Sequence, residues 1–110
     1  MIGSIKTLDD FYTVLQNNPG VLIYFSHENC NVCKVLKPKI HGLLEEHFPK
    51  MNMYYADTEL YPEIAAQNSI FTVPTIVIYF DTKEHIRKSR NIGIEELRKE
   101  IERPYTLLFN

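Results

Sequence analysis

The sequence is poor in three things, and each shortage excludes a class of protein. Long hydrophobic runs are missing. The longest uninterrupted apolar stretches, such as Val21 to Phe25, reach about five residues, whereas a membrane-spanning helix needs about 20. An excess of basic charge is missing too. The chain sets 12 Lys+Arg against 14 Asp+Glu for a formal net charge of −2. That balance argues against a nucleic-acid partner, because neutralising phosphates takes a basic surface. Cysteine is scarce, with only Cys30 and Cys33. A secreted miniprotein stapled by disulfides would need more, and two thiols three positions apart cannot staple a domain. The opening, Met1 to Asp10, lacks a charged segment followed by a long apolar one. No secretory leader is expected, no membrane partner, and a cytoplasmic location.

What remains is ordinary for a globular protein: 110 residues, 45% hydrophobic and 24% charged. This length predicts one domain over residues 1–110, able to bury roughly two thirds of its unfolded surface without staples. Thr7 reads as an N-cap with Asp10 in the first turn, and Leu8, Phe11, Tyr12 and Leu15 recur on one helical face. Asn17-Asn18-Pro19-Gly20 ends that helix. Val21 to Phe25 is continuously apolar, as in a strand buried on both faces. A second helix carries Val32, Leu36, Ile40, Leu43, Leu44 and His47 near one face, with Pro38 expected to kink it. Strands are predicted over Met51 to Ala56, Thr75 to Phe80 and Glu84 to Lys88, and a short helix over Pro62 to Gln67. In the last helix Ile94, Leu97 and Ile101 point inward. The tail from Pro104 to Asn110 is too apolar for a free end and should pack back on the domain, the alternative being a dimer contact or partner anchor. A βαβ unit followed by a hairpin predicts an α/β fold with a mixed sheet flanked by helices.

Cys30-Asn31-Val32-Cys33 falls between a buried strand and a helix. The first turn of a helix offers unpaired N–H groups and partial positive charge, both of which favour a thiolate. With two residues between them the thiols can close a small ring, so Cys33 can attack a mixed disulfide held on Cys30. That chemistry needs no cofactor. Three other readings compete. Zinc would require Cys30, Cys33, His41 and His47 as ligands, but the middle gap is short and the two histidines point to different helix faces. The cysteines could be a chance buried pair. They could also be a relic in a binding module.

With that pair, the strand before it and the Val73-Pro74-Thr75 segment in hand, the chain resembles the thioredoxin-like proteins over roughly residues 5 to 103. Val21 to Phe25 is similar to the family's central strand, Cys30 to Lys34 to its Cys-x-x-Cys-Lys and Pro38 to its helix proline. Val73-Pro74-Thr75 is similar to its cis-proline signature. The resemblance implies a thioredoxin-like fold and a thiol–disulfide oxidoreductase. Cys30 would be the attacking and Cys33 the resolving thiol, with Cys30 accessible and of lowered pKa and Cys33 buried. Val73 would offer backbone hydrogen bonds to substrate, and the cis-bonded Pro74 would shape the groove. Asn29 stands at the family's tryptophan position and Arg90 at the glycine flanking the groove. Tyr24 and Tyr55 stand where the family has a buried aspartate and a lysine. Implied partners are disulfide-containing protein substrates and an electron-donor reductase; the chain itself is expected to be a monomer. The alternative is an adaptor module that uses the groove without turnover.

Other residues read more plainly. His27, three residues before Cys30, is expected as an exposed loop histidine, the alternative being an imidazolium that lowers the thiol pKa, and His41, His47 and His85 as surface or helix-flank residues. Arg87-Lys88-Ser89-Arg90 is a basic run on an edge strand, either solvated or a docking patch for acidic partners.

Overall fold

The computed structural model describes residues 2–109. Met1 and Asn110, the last residue of the expected tail, lie outside them. The elements follow in the order β1 (Ile2–Ile5), α1 (Leu8–Asn17), β2 (Gly20–Ser26), α2 (Asn31–His47), β3 (Asn52–Asp57), α3 (Pro62–Gln67), β4 (Thr75–Phe80), β5 (Lys83–Ser89) and α4 (Ile94–Phe109). They build a five-stranded sheet in the order β1-β3-β2-β4-β5. β1 and β2 run parallel to β3, while β4 is antiparallel to both β2 and β5.

Helices cover both faces of the sheet, which is why β2 is apolar at every central position rather than alternating. All seven β2 residues are buried. Leu22 and Tyr24 join Ile76, Ile78 and Phe80 of β4 on one face, under Ile40, Leu43 and Leu44 of α2 and Leu97 and Ile101 of α4. Val21, Ile23 and Phe25 join Val77 and Tyr79 on the other, under Phe11 and Leu15 of α1 and Ile64 and Ala65 of α3. Strand residues thus serve two cores by their period of two.

Local signals act as their chemistry requires. Thr7 Oγ1 accepts the Asp10 N–H at 3.0 Å, satisfying one of the unpaired donors at the start of α1, and Asp10 Oδ2 accepts the N–H of Lys6, just before the cap, at 3.2 Å. The β4–β5 turn places Asp81 and Thr82 at φ 52° and 68°, the left-handed pair that suits a tight hairpin. α2 runs unbroken through Pro38.

Four expectations need correction. β1 was not foreseen: four residues at a sheet edge, half exposed, give no usable periodicity. The segment after Pro104 is not a separate tail but the last turns of α4. It does pack back: Tyr105 stacks edge-on to Phe48 at 5.0 Å between ring centroids, and Phe109 lies 4.8 Å from Tyr105. A Cβ on Gly20 would sit 2.8 Å from the Phe109 ring, so glycine there admits the helix end. Tyr12 is half exposed rather than inward, resting edge-on against Phe11. On α2, Val32 and His47 face solvent, and the inward positions are Cys33, Ile40, Leu43 and Leu44.

Candidate active site

β2 ends at Ser26, and residues 27–30 turn the chain so that Cys30 becomes the N-cap of α2. The turn closes through the Cys30 N–H to the His27 carbonyl at 3.2 Å. Cys30 and Cys33 are joined in a disulfide with their Cα atoms 5.3 Å apart. Cys30 is half-buried, while Cys33 is only 1% exposed, one turn inside the helix. The Cys33 N–H points at Cys30 Sγ at 3.2 Å. The sulfur therefore does what an N-cap oxygen does elsewhere, taking one of the helix's unpaired donors. A thiolate on Cys30 would gain from that N–H and from the positive end of α2.

The Val73–Pro74 bond is cis, as the resemblance led us to expect. Pro74 is buried and Val73 packs on the same core as Cys30. Arg90 is bound to this loop twice. Its N–H donates to the Pro74 carbonyl at 2.8 Å, and its Nε donates to Thr72 Oγ1 at 3.0 Å. Its φ of 62° is unusual for a residue with a Cβ. Asn29 is exposed, and its Nδ2 donates to Glu59 Oε1 at 3.3 Å. The structure thus brings Cys30 to Cys33 and Arg90 to Pro74, and ties Asn29 to Glu59.

Two phenols lie side by side beneath α2, because Tyr24 and Tyr55 are register partners on β2 and β3. Tyr24 is fully buried, and its hydroxyl donates to the Cys33 carbonyl at 2.8 Å. Pro38 cannot supply an N–H to the Lys34 carbonyl four residues back. The Cys33 carbonyl, one residue earlier, takes a side-chain donor from the sheet, the Tyr24 hydroxyl. Burial, then the neighbouring Tyr55, pushes the Tyr24 pKa from 10.0 up to about 12. Tyr55 is raised as well, by burial first, with a hydrogen bond from Ser26 opposing and Asp57 and Glu28 assisting. The Tyr55 hydroxyl donates to Asp57 Oδ2 at 3.4 Å, and Lys37 Nζ sits 4.1 Å from its ring centroid. A cation over the face of a ring is attracted by the negative charge of its π-system.

Sequence reasoning missed Asp57, Glu59 and Thr72. Asp57 is buried, and its Oδ1 accepts the Glu59 and Leu60 N–H groups at 2.9 Å each. An aspartate followed by polar residues at a strand end is the available signal for such a turn. His27 is corrected: it is half-buried rather than exposed, with Nδ1 3.5 Å from Glu59 Oε1 and, among the described residues, no hydrogen-bond partner for that nitrogen. His47 and His85 are surface residues, and His41 is half-buried beside Glu45. The basic run is largely neutralised, Arg87 by Glu84 and Lys88 by Glu96 and Glu100.

A cysteine pair that closes across one helical turn, one sulfur at the helix N-terminus and the other buried, defines a thiol–disulfide redox site. A sequence profile of the thioredoxin family matches residues 4–103, and the chain belongs to that family. It is 31% identical over 106 residues to a thioredoxin-like protein, YdfQ, of Bacillus subtilis, covering 96% of this chain and 91% of that one. Among solved structures, Fasciola hepatica thioredoxin superposes with a TM-score of 0.82 at 27% identity, over 93% of this chain and 98% of that one. Oxidised mitochondrial thioredoxin 3 of Saccharomyces cerevisiae gives a TM-score of 0.82 at 23% identity, over 92% and 93%, a likeness of fold. The chain is a thiol–disulfide oxidoreductase with a thioredoxin-like fold. No helix among the described residues is long and apolar enough to cross a membrane.

Proposed function

We propose that the chain reduces or exchanges disulfides of protein substrates, with Cys30 as the attacking thiol and Cys33 as the resolving thiol. The observation that carries this assignment is the asymmetry of the pair: Cys30 caps α2 and is half-buried, while Cys33 is 1% exposed. In the reduced form, the Cys30 thiolate attacks one sulfur of the substrate disulfide. A Cys30–substrate S–S bond forms, the substrate S–S bond breaks, and the departing thiolate takes a proton. Cys33 then loses its proton and attacks Cys30 Sγ, which forms the Cys30–Cys33 disulfide and frees the second substrate thiol. Two electrons pass from the pair to the substrate, and a dithiol reductant restores it.

Val73 offers its backbone to an extended substrate segment, Pro74 shapes the wall beside the sulfurs, and Asn29 and Arg90 flank them. An electron-donor reductase, a cytoplasmic location and a monomer of one functional unit over residues 1–110 complete the proposal. The test is trapping. Cys33→Ser should accumulate mixed disulfides with disulfide peptides, and Cys30→Ser should accumulate none. Trapping by Cys30→Ser alone would reverse the assignment. Absence of trapping by either variant would favour a binding module.

A further inference from the structure

Val32, Val35, Leu36 and Lys39 fall at i, i+3, i+4 and i+7 on α2 and form one stripe. Val32 and Val35 are 63% and 60% exposed, although both are apolar. Facing the stripe is the segment Arg90 to Gly93, and the two walls enclose a groove of about 640 Å³ beginning at the turn that holds the cysteines. An open apolar wall beside a reacting pair is a surface that a bound segment covers.

The groove has one sign of charge. Lys39 and Arg90 line it and no carboxylate does, although the whole chain carries two more acidic than basic residues (14 against 12). Elsewhere Arg87, Lys88 and Arg98 are held in ion pairs. Among the described residues neither Lys39 nor Arg90 has a carboxylate partner. Arg90 is also held still. Its backbone is fixed to Pro74, its Nε to Thr72 Oγ1, and its remaining side-chain N–H donors have no partner among the described residues. A guanidinium anchored at one nitrogen beside the redox pair is pre-organised for a carboxylate.

We infer that this groove selects protein segments with an acidic side chain close to the disulfide cysteine, and that Arg90 and Lys39 are the specificity-determining residues. The inference rests on the role proposed above for Cys30. Arg90 touches the Pro74 loop and reads a carboxylate next to the substrate cysteine. Lys39 lies nine positions beyond Cys30, about 13 Å along the helix axis. That is the length of about four residues of extended chain, so Lys39 reads a carboxylate about four positions away.

The test compares disulfide peptides that carry Glu, Gln or Lys at one of those two positions, reduced under a dithiothreitol-recycled assay. At low salt, kcat/KM for Glu should exceed that for Gln by about two- to fivefold at each position, and Lys should fall below Gln. The preference should shrink at about 0.5 M salt. Arg90→Gln should remove the preference at the adjacent position and leave the distant one, and Lys39→Gln the reverse. Because the readout is a ratio within each variant, a general loss of activity does not mimic it. Equal rates for Glu and Gln peptides, or a preference that survives in both variants, would overturn this inference alone. A chain that reduces none of the peptides would overturn the proposed function and this inference with it.

Discussion

Replacing Tyr24 by phenylalanine removes one oxygen from the core and gives a signature that depends on pH. In the parent the hydroxyl is fully buried and donates to the Cys33 carbonyl at 2.8 Å. Such a bond contributes about 1 kcal/mol net. Tyr24→Phe should therefore lower stability at pH 7 by about that much, or about 4–8 °C in Tm for a chain near this size. Above pH 10 the difference shrinks, and it reverses only at about pH 11. The unfolded chain releases the Tyr24 proton from its ordinary value of 10.0, whereas the folded chain holds it until about 12. Within that window the folded state binds more protons, so stability falls as pH rises. At about 1.4 kcal/mol per unit, the parent loses about 2–3 kcal/mol across the window. Phenylalanine has no proton to lose. The two stability curves should cross close to pH 11, where the parent's loss matches about 1 kcal/mol for the missing hydrogen bond. Tyr79, pushed to about 12 chiefly by burial, adds the same fall to both proteins and cancels from the comparison. Urea unfolding followed by circular dichroism from pH 7 to 11.5 measures this. Parallel curves with no crossing would refute the burial account of Tyr24.

Tyr24→Asp should speed decay of a Cys30 mixed disulfide severalfold at pH 7 in stopped flow, because a carboxylate near Cys33 can take its proton where a phenol cannot. It should also lower Tm by the equivalent of about 3–5 kcal/mol of lost aromatic packing. An unchanged decay would mean that proton removal from Cys33 does not limit resolution. Gly20→Ala should cost about 1–3 kcal/mol in urea unfolding, since its Cβ would meet the Phe109 ring at 2.8 Å and Met51 Cγ at 3.2 Å. The cost should be smaller in a Phe109→Ala background, and equal costs in both would show that the helix end does not press on β2.

The parts of this fold that were legible in the sequence are those whose local pattern and tertiary setting agree. Val21 to Phe25 reads as a doubly covered strand, and helices cover it on both sides. Pro62–Gln67 and Thr75–Phe80 fall where predicted, each bounded by residues that end regular structure. β1 was not legible because it takes its place from pairing with β3, which four residues cannot announce. The end of α4 read as a tail because Pro104 signals a break. Contacts of Tyr105 and Phe109 with Phe48 and Gly20 hold it helical. Within the site, Cys30, Cys33 and the cis Val73–Pro74 bond were legible from motif and order. Spacing puts Val32 inward, yet it is 63% exposed and lines the groove, while the next residue, Cys33, turns into the core. The links of Asn29 to Glu59 and of Arg90 to Thr72 span 30 and 18 positions, and no local pattern encodes them.

The central claim is that Cys30 and Cys33 are a working two-electron couple. The direct measurement is equilibration of the protein across a series of glutathione ratios, followed by acid quench and alkylation of free thiols. The account predicts that both cysteines become labelled together along a single two-electron transition, about 30 mV per tenfold change in the equilibrium constant. It also predicts that Cys30 is alkylated first when the reduced protein is treated at neutral pH. A disulfide that never opens across the series, or preferential labelling of Cys33, would contradict it.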